Sequence, residues 1–321
     1  MSISAARGAR RIRRSAAGGV VLVAVLVAGC SADGPPGEAV PGGSGAGAGA
    51  SDAGAGAGGG NEVQGEETAA APLPSDHVHG VGINPADGVV QLATHDGLFS
   101  YQDGTPVRVG PVIDLMGFTV AGPDHFYASG HPGPGVDLPE PVGLIESTDA
   151  GRSWSALSRQ GRSDFHALSA LQGAVIGFDG QLRTSADVQT WTTTEAPVQP
   201  YALASSPQGT TVLATSQDGP ALSRDAGASW SVLEQAPLLQ VAAMADATTI
   251  VGITPDGTVA VSQDTGATWT TPGAVPGPPQ AVAASRNDGG ALQVVAVTSA
   301  AVLSSTDGGA SFAPLQAAED S

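Results

Sequence analysis

From His77 to about Leu315 the chain alternates short apolar runs with polar breaks, and the runs are brief and rich in β-branched residues. Val78–Ile83, Val89–Thr94, Leu98–Tyr101 and Val107–Val109 form a first set of four. Asn84-Pro-Ala-Asp-Gly88 and Gln102-Asp-Gly104 lie between them. Valine and isoleucine suit a pleated, half-buried surface, while Gly, Pro, Asp and Asn close tight reversals. The same texture continues with breaks at roughly eight- to twelve-residue spacing, and apolar positions nowhere recur at the helical period. The pattern predicts one all-β domain of about 240 residues.

One stretch returns along the chain. Ser147-Thr-Asp-Ala-Gly-Arg-Ser-Trp154 reappears as Ser223-Arg-Asp-Ala-Gly-Ala-Ser-Trp230, Ser262-Gln-Asp-Thr-Gly-Ala-Thr-Trp269 and Ser305-Thr-Asp-Gly-Gly-Ala-Ser-Phe312. A worn copy runs Thr184-Ser-Ala-Asp-Val-Gln-Thr-Trp191. The Asp can accept the N–H groups of its own turn, the Gly supplies a positive φ, the hydroxyls tie the ends and the ring packs back onto the sheet. This is a hairpin clasp. A catalytic acid is not needed four times over, so a structural role is the better reading of Asp149, Asp225, Asp264 and Asp307. The copies start 37, 39, 39 and 43 residues apart, the size of a four-stranded propeller blade. A clasp-free first unit, then Asp114–Leu157, Asp164–Thr194, Tyr201–Leu233, Gln240–Thr271 and Gln280–Leu315, predict a six-bladed β-propeller over 76–316. Each blade is expected to be complete in itself.

The N-terminal end is different in kind. Arg7, Arg10, Arg11, Arg13 and Arg14 followed by the apolar run Gly18–Leu26 give residues 1–29 the layout of an export signal. Val27-Ala28-Gly29-Cys30 resembles a bacterial lipobox. That implies cleavage before Cys30, lipidation of its sulfur and attachment to the outer face of the cell membrane. A short membrane anchor with an incidental cysteine is the competing reading. Cys30 is the only cysteine, which leaves no internal disulfide. Residues 30–75, rich in Gly, Ala, Ser and Pro, cannot bury a core and read as a tether with a span of roughly 35–40 Å.

Charge then narrows the partners. All twelve basic residues are arginine and five precede position 15. The remainder carries seven against 30 acidic residues, a formal −23. Such a surface repels phosphate backbones and excludes nucleic acid, while small cations are its natural ligands. A monomer is expected.

In a propeller the inner strands line a channel, and loops at one end form its mouth. The inner strands begin His79-Gly-Val, Met116-Gly-Phe, His166-Ala-Leu, Tyr201-Ala-Leu, Gln240-Val-Ala and Gln280-Ala-Val. A ring of heteroatoms stands where a plain core would have Val or Leu. His77 and His79 are two apart on one strand, about 6.5–7 Å between Cα atoms, a spacing that can chelate one ion. His95 falls in the neighbouring turn, His131 in a long insertion, Gly130–Pro141, and His166 opens the third unit. Five of the six histidines therefore map to one sector, and His125 belongs to the opposite face. Imidazole with the Met116 thioether suits copper or zinc, while Asp114 and Asp164 are placed to hold the imidazole N–H groups. The same ring, with Tyr201, would also serve a small cationic or polar ligand without metal, or be satisfied by backbone and water.

The clasp resembles the Asp-box, or BNR repeat, of sialidase-like propellers. Asp76-His-Val-His-Gly-Val, Met116-Gly-Phe-Thr-Val, Ala128-Ser-Gly-His-Pro-Gly and Asp164-Phe-His-Ala-Leu look like a branch of bacterial propeller lipoproteins that carry the name glycosyl hydrolase. The resemblance implies the fold and opens the possibility of a glycan-directed enzyme. Sialidase chemistry implies three converging arginines, and only Arg159 and Arg162 are expected to reach the mouth, so that activity is set aside. A non-sialidase glycosidase needs two carboxylates roughly 5–10 Å apart. Asp96, Asp114, Asp137, Glu140, Asp164, Asp179 and Asp218 are too many candidates to select a pair. If the lipobox reading is right, Cys30→Ser releases the protein into the soluble fraction with its domain still folded. A variant that still sediments with membranes points to an uncleaved anchor.

Overall fold

The first four apolar runs form β1 (Val78–Ile83), β2 (Val90–Thr94), β3 (Gly97–Gln102) and β4 (Thr105–Val109), each antiparallel to the next. The second set is β5 (Ile113–Gly122), β6 (His125–Pro132), β7 (Leu144–Ser147) and β8 (Ser155–Ser158). Four more sheets of the same kind follow. The computed structural model, which describes residues 73–102, 104–206 and 209–315, is a six-bladed β-propeller of four-stranded meanders. No helix among the described residues is long and apolar enough to cross a membrane. The expected export signal, Cys30 and the tether as far as residue 72 lie outside the described residues.

Neighbouring blades stack face to face, which explains why the second strands are buried along their length instead of alternating, while the outermost strands, such as Thr192–Thr193, are exposed. β2 is buried at all of its positions. The core is accordingly divided into wedges, each spanning one seam. Leu98 of the first blade packs with Leu115, Phe126 and Ile145 of the second, and Ile176 and Leu182 of the third pack with Leu203 and Val212 of the fourth.

The last blade ends with Val302–Ser305 and Ala313–Pro314 as its outer strands, so the first and last sheets are both complete in themselves. The ring closes by side chains and packing instead of by an exchanged strand. Val78 N–H donates to Gln280 Oε1 at 3.0 Å, and Gln280 Nε2 donates to the Asp76 carbonyl at 3.2 Å. Beneath them Val78, Leu92 and Tyr101 pack with Ala283, Val295 and Val302.

The clasps have the expected bonds. Ser147 Oγ donates to Asp149 Oδ1 at 2.8 Å and accepts Gly151 N–H at 2.7 Å, while Ser153 gives its N–H and hydroxyl to Asp149 at 2.9 and 2.6 Å. The set recurs around Asp225, Asp264 and Asp307. The pattern requires more than one glycine. Ala150, Ala226 and Thr265, just before the clasp Gly, are themselves left-handed at φ of 59°, 57° and 59°. Their N–H groups reach the hairpin turn of the same blade at Asp124, Thr210 and Thr248. The glycine that follows lies against the preceding blade. A Cβ at Gly151 would stand 2.2 Å from Leu98 Cδ2, and one at Gly266 would stand 2.6 Å from Leu233 Cδ1. Each of these clasps therefore fastens its own hairpin and seats it on its neighbour.

These bonds hold the clasp carboxylates below their ordinary value of 3.8. Asp225 and Asp264 fall to about 2, first through the hydroxyl and then through the N–H of Ser229 or Thr268. A carboxylate depressed on folding stabilises the protein above its unfolded pKa and loses that contribution as pH falls through the folded one. Tm is expected to hold above about pH 4 and to drop between about pH 4 and 2. Asp264→Ala should lower Tm at neutral pH by on the order of 2–4 °C and shrink that acid step. Thermal melts across the range check both, and a Tm flat through the acid window removes the clasp carboxylates from the stability of the ring.

Candidate functional site

The inner strands enter the ring at irregularities. The register of β1 steps between Val78 and Gly80, that of β5 between Leu115 and Gly117, and that of Pro279–Arg286 between Pro279 and Ala281. His79, Met116 and Gln280 are the extra residues. In the other three blades His166, Tyr201 and Gln240 donate their N–H to Phe178, Thr215 and Ile253, residues already opposite the next strand position. A bulge turns a side chain away from its strand's alternation, and here it brings the ring residues to the channel.

His79, Met116, His166, Tyr201 and Gln280 stand on the wall of a central cavity of about 410 Å³. Tyr201 is 61 % exposed. The two glutamines serve the frame as well. Gln240 Nε2 donates to the Pro279 carbonyl at 2.7 Å, and Gln280 closes the ring as described. Gln240 is not among the cavity residues, so the expected ring of six is a ring of five plus a tie.

Three imidazoles converge on the first blade. The rings of His77 and His79 are 4.5 Å apart, those of His79 and His95 4.3 Å, and those of His77 and His95 5.8 Å. One nitrogen from each lies within 4.8 Å of the others. His79 Nε2 stands 3.1 Å from His95 Nε2. His95 Nδ1 meets Asp114 Oδ1 at 2.9 Å. With the carboxylate accepting, the proton of His95 sits on Nδ1 and its Nε2 lone pair faces the cluster. His79 is pushed down to about 4, first by burial, then by the neighbouring imidazoles of His77 and His95. It is therefore neutral through the physiological range.

His131 and His166 form a second group. Asp164 Oδ2 lies 2.8 Å from His166 Nε2 and 3.2 Å from His131 Nε2, while Glu140 holds the other nitrogen of His131. The hydrogen bond to Glu140 raises the pKa of His131, against burial and with help from Asp164. Asp164 Oδ1 is buried and has no hydrogen-bond partner among the described residues. The two groups adjoin, because Asp114 and His131 face each other across β5 and β6. Gly130 permits that approach: a Cβ there would lie 1.8 Å from the Asp114 carbonyl. The five histidines expected in one pocket are thus divided into a triad and an acid-bridged pair. His125 binds Glu146 at 2.7 Å and packs edge-on to Tyr127, apart from both.

Two expectations for the mouth change. Arg159 and Arg162 do not line the central cavity. Asp179, offered as a catalytic carboxylate, is engaged by Ser163 and by Arg183, whose Nε lies 2.9 Å from each of its oxygens. Burial alone would raise Asp179, but these donors hold it below its ordinary value.

No family model matches the chain, and no curated protein is significantly similar to it in sequence. Solved structures resemble it in fold. YCF48 bound to D1 peptide has 17 % identity and a TM-score of 0.49, over 75 % of this chain and 82 % of that one. YCF48 from Cyanidioschyzon merolae has 13 % identity and a TM-score of 0.47, over 74 % and 98 %. An ancestral GH74 enzyme has 14 % identity and a TM-score of 0.46, over 71 % of this chain and 36 % of that one. Likeness at this level carries nothing about ligand or activity.

Proposed function

We propose that this protein is an extracytoplasmic propeller, anchored by a lipid on Cys30, that binds a copper or zinc ion at its channel mouth through His77, His79 and His95. The observation that carries this reading is the convergence of three imidazole nitrogens within 4.8 Å. Tetrahedral zinc with bonds of 2.0–2.1 Å spaces its ligand atoms about 3.3 Å apart. His79 and His95 already stand at 3.1 Å, and exposed His77 closes the remaining gap by rotating. Asp114 on the far nitrogen of His95 fixes the orientation of the ring, as carboxylates behind metal-bound histidines do. The Met116 thioether on the cavity wall favours copper. The acidic surface gathers cations and repels nucleic acid. His166, Tyr201 and Asp164 then face a small polar or cationic ligand, and the protein acts as a monomer.

Titrating the metal-stripped full chain with Cu(II) and Zn(II) tests this. One ion per chain is expected, with affinity falling as pH drops below about 6.5, where free imidazole protonates. His79→Ala should abolish stoichiometric binding, Asp114→Asn should weaken it about 10–100-fold, and His166→Ala should spare it. Binding that survives His79→Ala removes the triad as the site.

A non-sialidase glycoside hydrolase is the second reading. Glu140 and Asp164 hold opposite nitrogens of His131, a carboxylate pair on one imidazole. Hydrolysis of extracellular glycans that persists with chelator and is lost in Asp164→Asn would favour it. No turnover in either condition leaves a binding protein.

A further inference from the structure

The worn clasp of the third blade departs from the others in length as well as composition. Ser185 and Asp187 keep their bond at 3.1 Å, but Val188-Gln-Thr190 stands where the intact clasps have four residues including glycine. In the fourth and fifth blades Trp230 and Trp269 give their indole N–H to the clasp's own glycine carbonyl at 3.1 Å. Trp191 has no such partner. It donates instead to Ser158 Oγ of the preceding blade at 2.9 Å and stacks on Phe165 at 4.9 Å. Where the clasp is shortened, the seam between the second and third blades opens into a cavity of about 340 Å³, lined by Arg159, Gln160, Arg162, Gln189 and Trp191.

The charge of this cavity is out of character for the chain. Seven arginines face 30 acids beyond the N-terminal segment, yet Arg159, Arg162 and Arg183 are gathered here. The Arg159 guanidinium has its pKa lowered by burial first and by Arg183 next, against the pull of Asp179, with Arg162 adding to the lowering. Asp179 takes Arg183 at 2.9 Å and Arg159 at 3.4 Å. Arg162 is exposed, and no described side chain pairs with it. Arg159 is held at φ +64°, a left-handed conformation that is unfavourable for a long side chain. Three guanidiniums share the single carboxylate of Asp179, so Arg162 on the cavity wall is left without a described side-chain partner.

We propose that this seam is a second ligand site, separate from the mouth, for a small hydroxylated carboxylate. The planar guanidinium of Arg162 is suited to a carboxylate's two oxygens. Gln189 offers an amide that can both donate to and accept from hydroxyls, and Gln160, whose Nε2 donates to the Leu144 carbonyl at 3.2 Å, leaves its amide oxygen as an acceptor. The indole of Trp191 covers the carbon skeleton of such a ligand. The site does not depend on a metal.

Calorimetric titration of the metal-free full chain with gluconate, sorbitol and inorganic phosphate tests it. Saturable gluconate binding is expected, weakened by raising salt from about 0.05 to 0.3 M, with none for neutral sorbitol. Arg162→Gln should weaken it at least about tenfold with an unchanged Tm, since that side chain supports nothing else. His79→Ala should leave it intact, which separates this site from the mouth. The proposal is overturned by gluconate affinity unaltered in Arg162→Gln, by sorbitol binding equally well, or by phosphate binding alone.

Discussion

A ring of sheets has no free face, and that constraint organises the molecule. A blade standing alone would expose an apolar surface on each side, and only its two neighbours can cover both. The inner strands are therefore short and apolar at most positions, and only the outermost strand of each blade is largely exposed. The clasps answer the second half of the problem, which is to hold a thin hairpin at a fixed angle to its neighbour. Their serine and aspartate satisfy the turn, their left-handed residue reaches the adjacent first-to-second-strand hairpin of the same blade, and their glycine lets the turn lie flush on the preceding sheet. With four of the six seams secured in this way, the ring closes through Gln280 and packing.

Much of this is written locally. The clasp spacing gives the number of blades, and the first four apolar runs match β1 to β4 within two residues at either end. What could not be read depends on partners far along the chain. Gln240 looks like a cavity residue until Pro279 is seen beside it, and Gln280 lines the cavity while its amide also ties down Val78. His131 looks like a fourth metal ligand until Asp164 and Glu140 occupy its two nitrogens. The missing residue in the third clasp is visible by counting. Its result is not, because Trp191 finds Ser158 in another blade.

The bulges are the least legible element and the most consequential for the mouth. A period-two reading puts His77 and His79 on one face of a regular strand. In the structure His79 is the residue inserted beyond the ladder, and its approach to His95 follows from that displacement. The small residues that follow most ring positions, Gly80, Gly117, Ala167, Ala202 and Ala281, are the trace this leaves in sequence.

Carrying the mouth side chains on inserted residues has a consequence for how such a protein can change. A side chain set in the ladder is bound to its cross-strand partner and to the seam it packs in, so replacing it disturbs both. One carried on a bulge stands outside the ladder pairing, and of the ring only the two glutamines are tied into the frame. The frame and the mouth are thus nearly separate texts, and His79, Met116, His166 and Tyr201 can be rewritten for another ligand while the blades are copied unchanged.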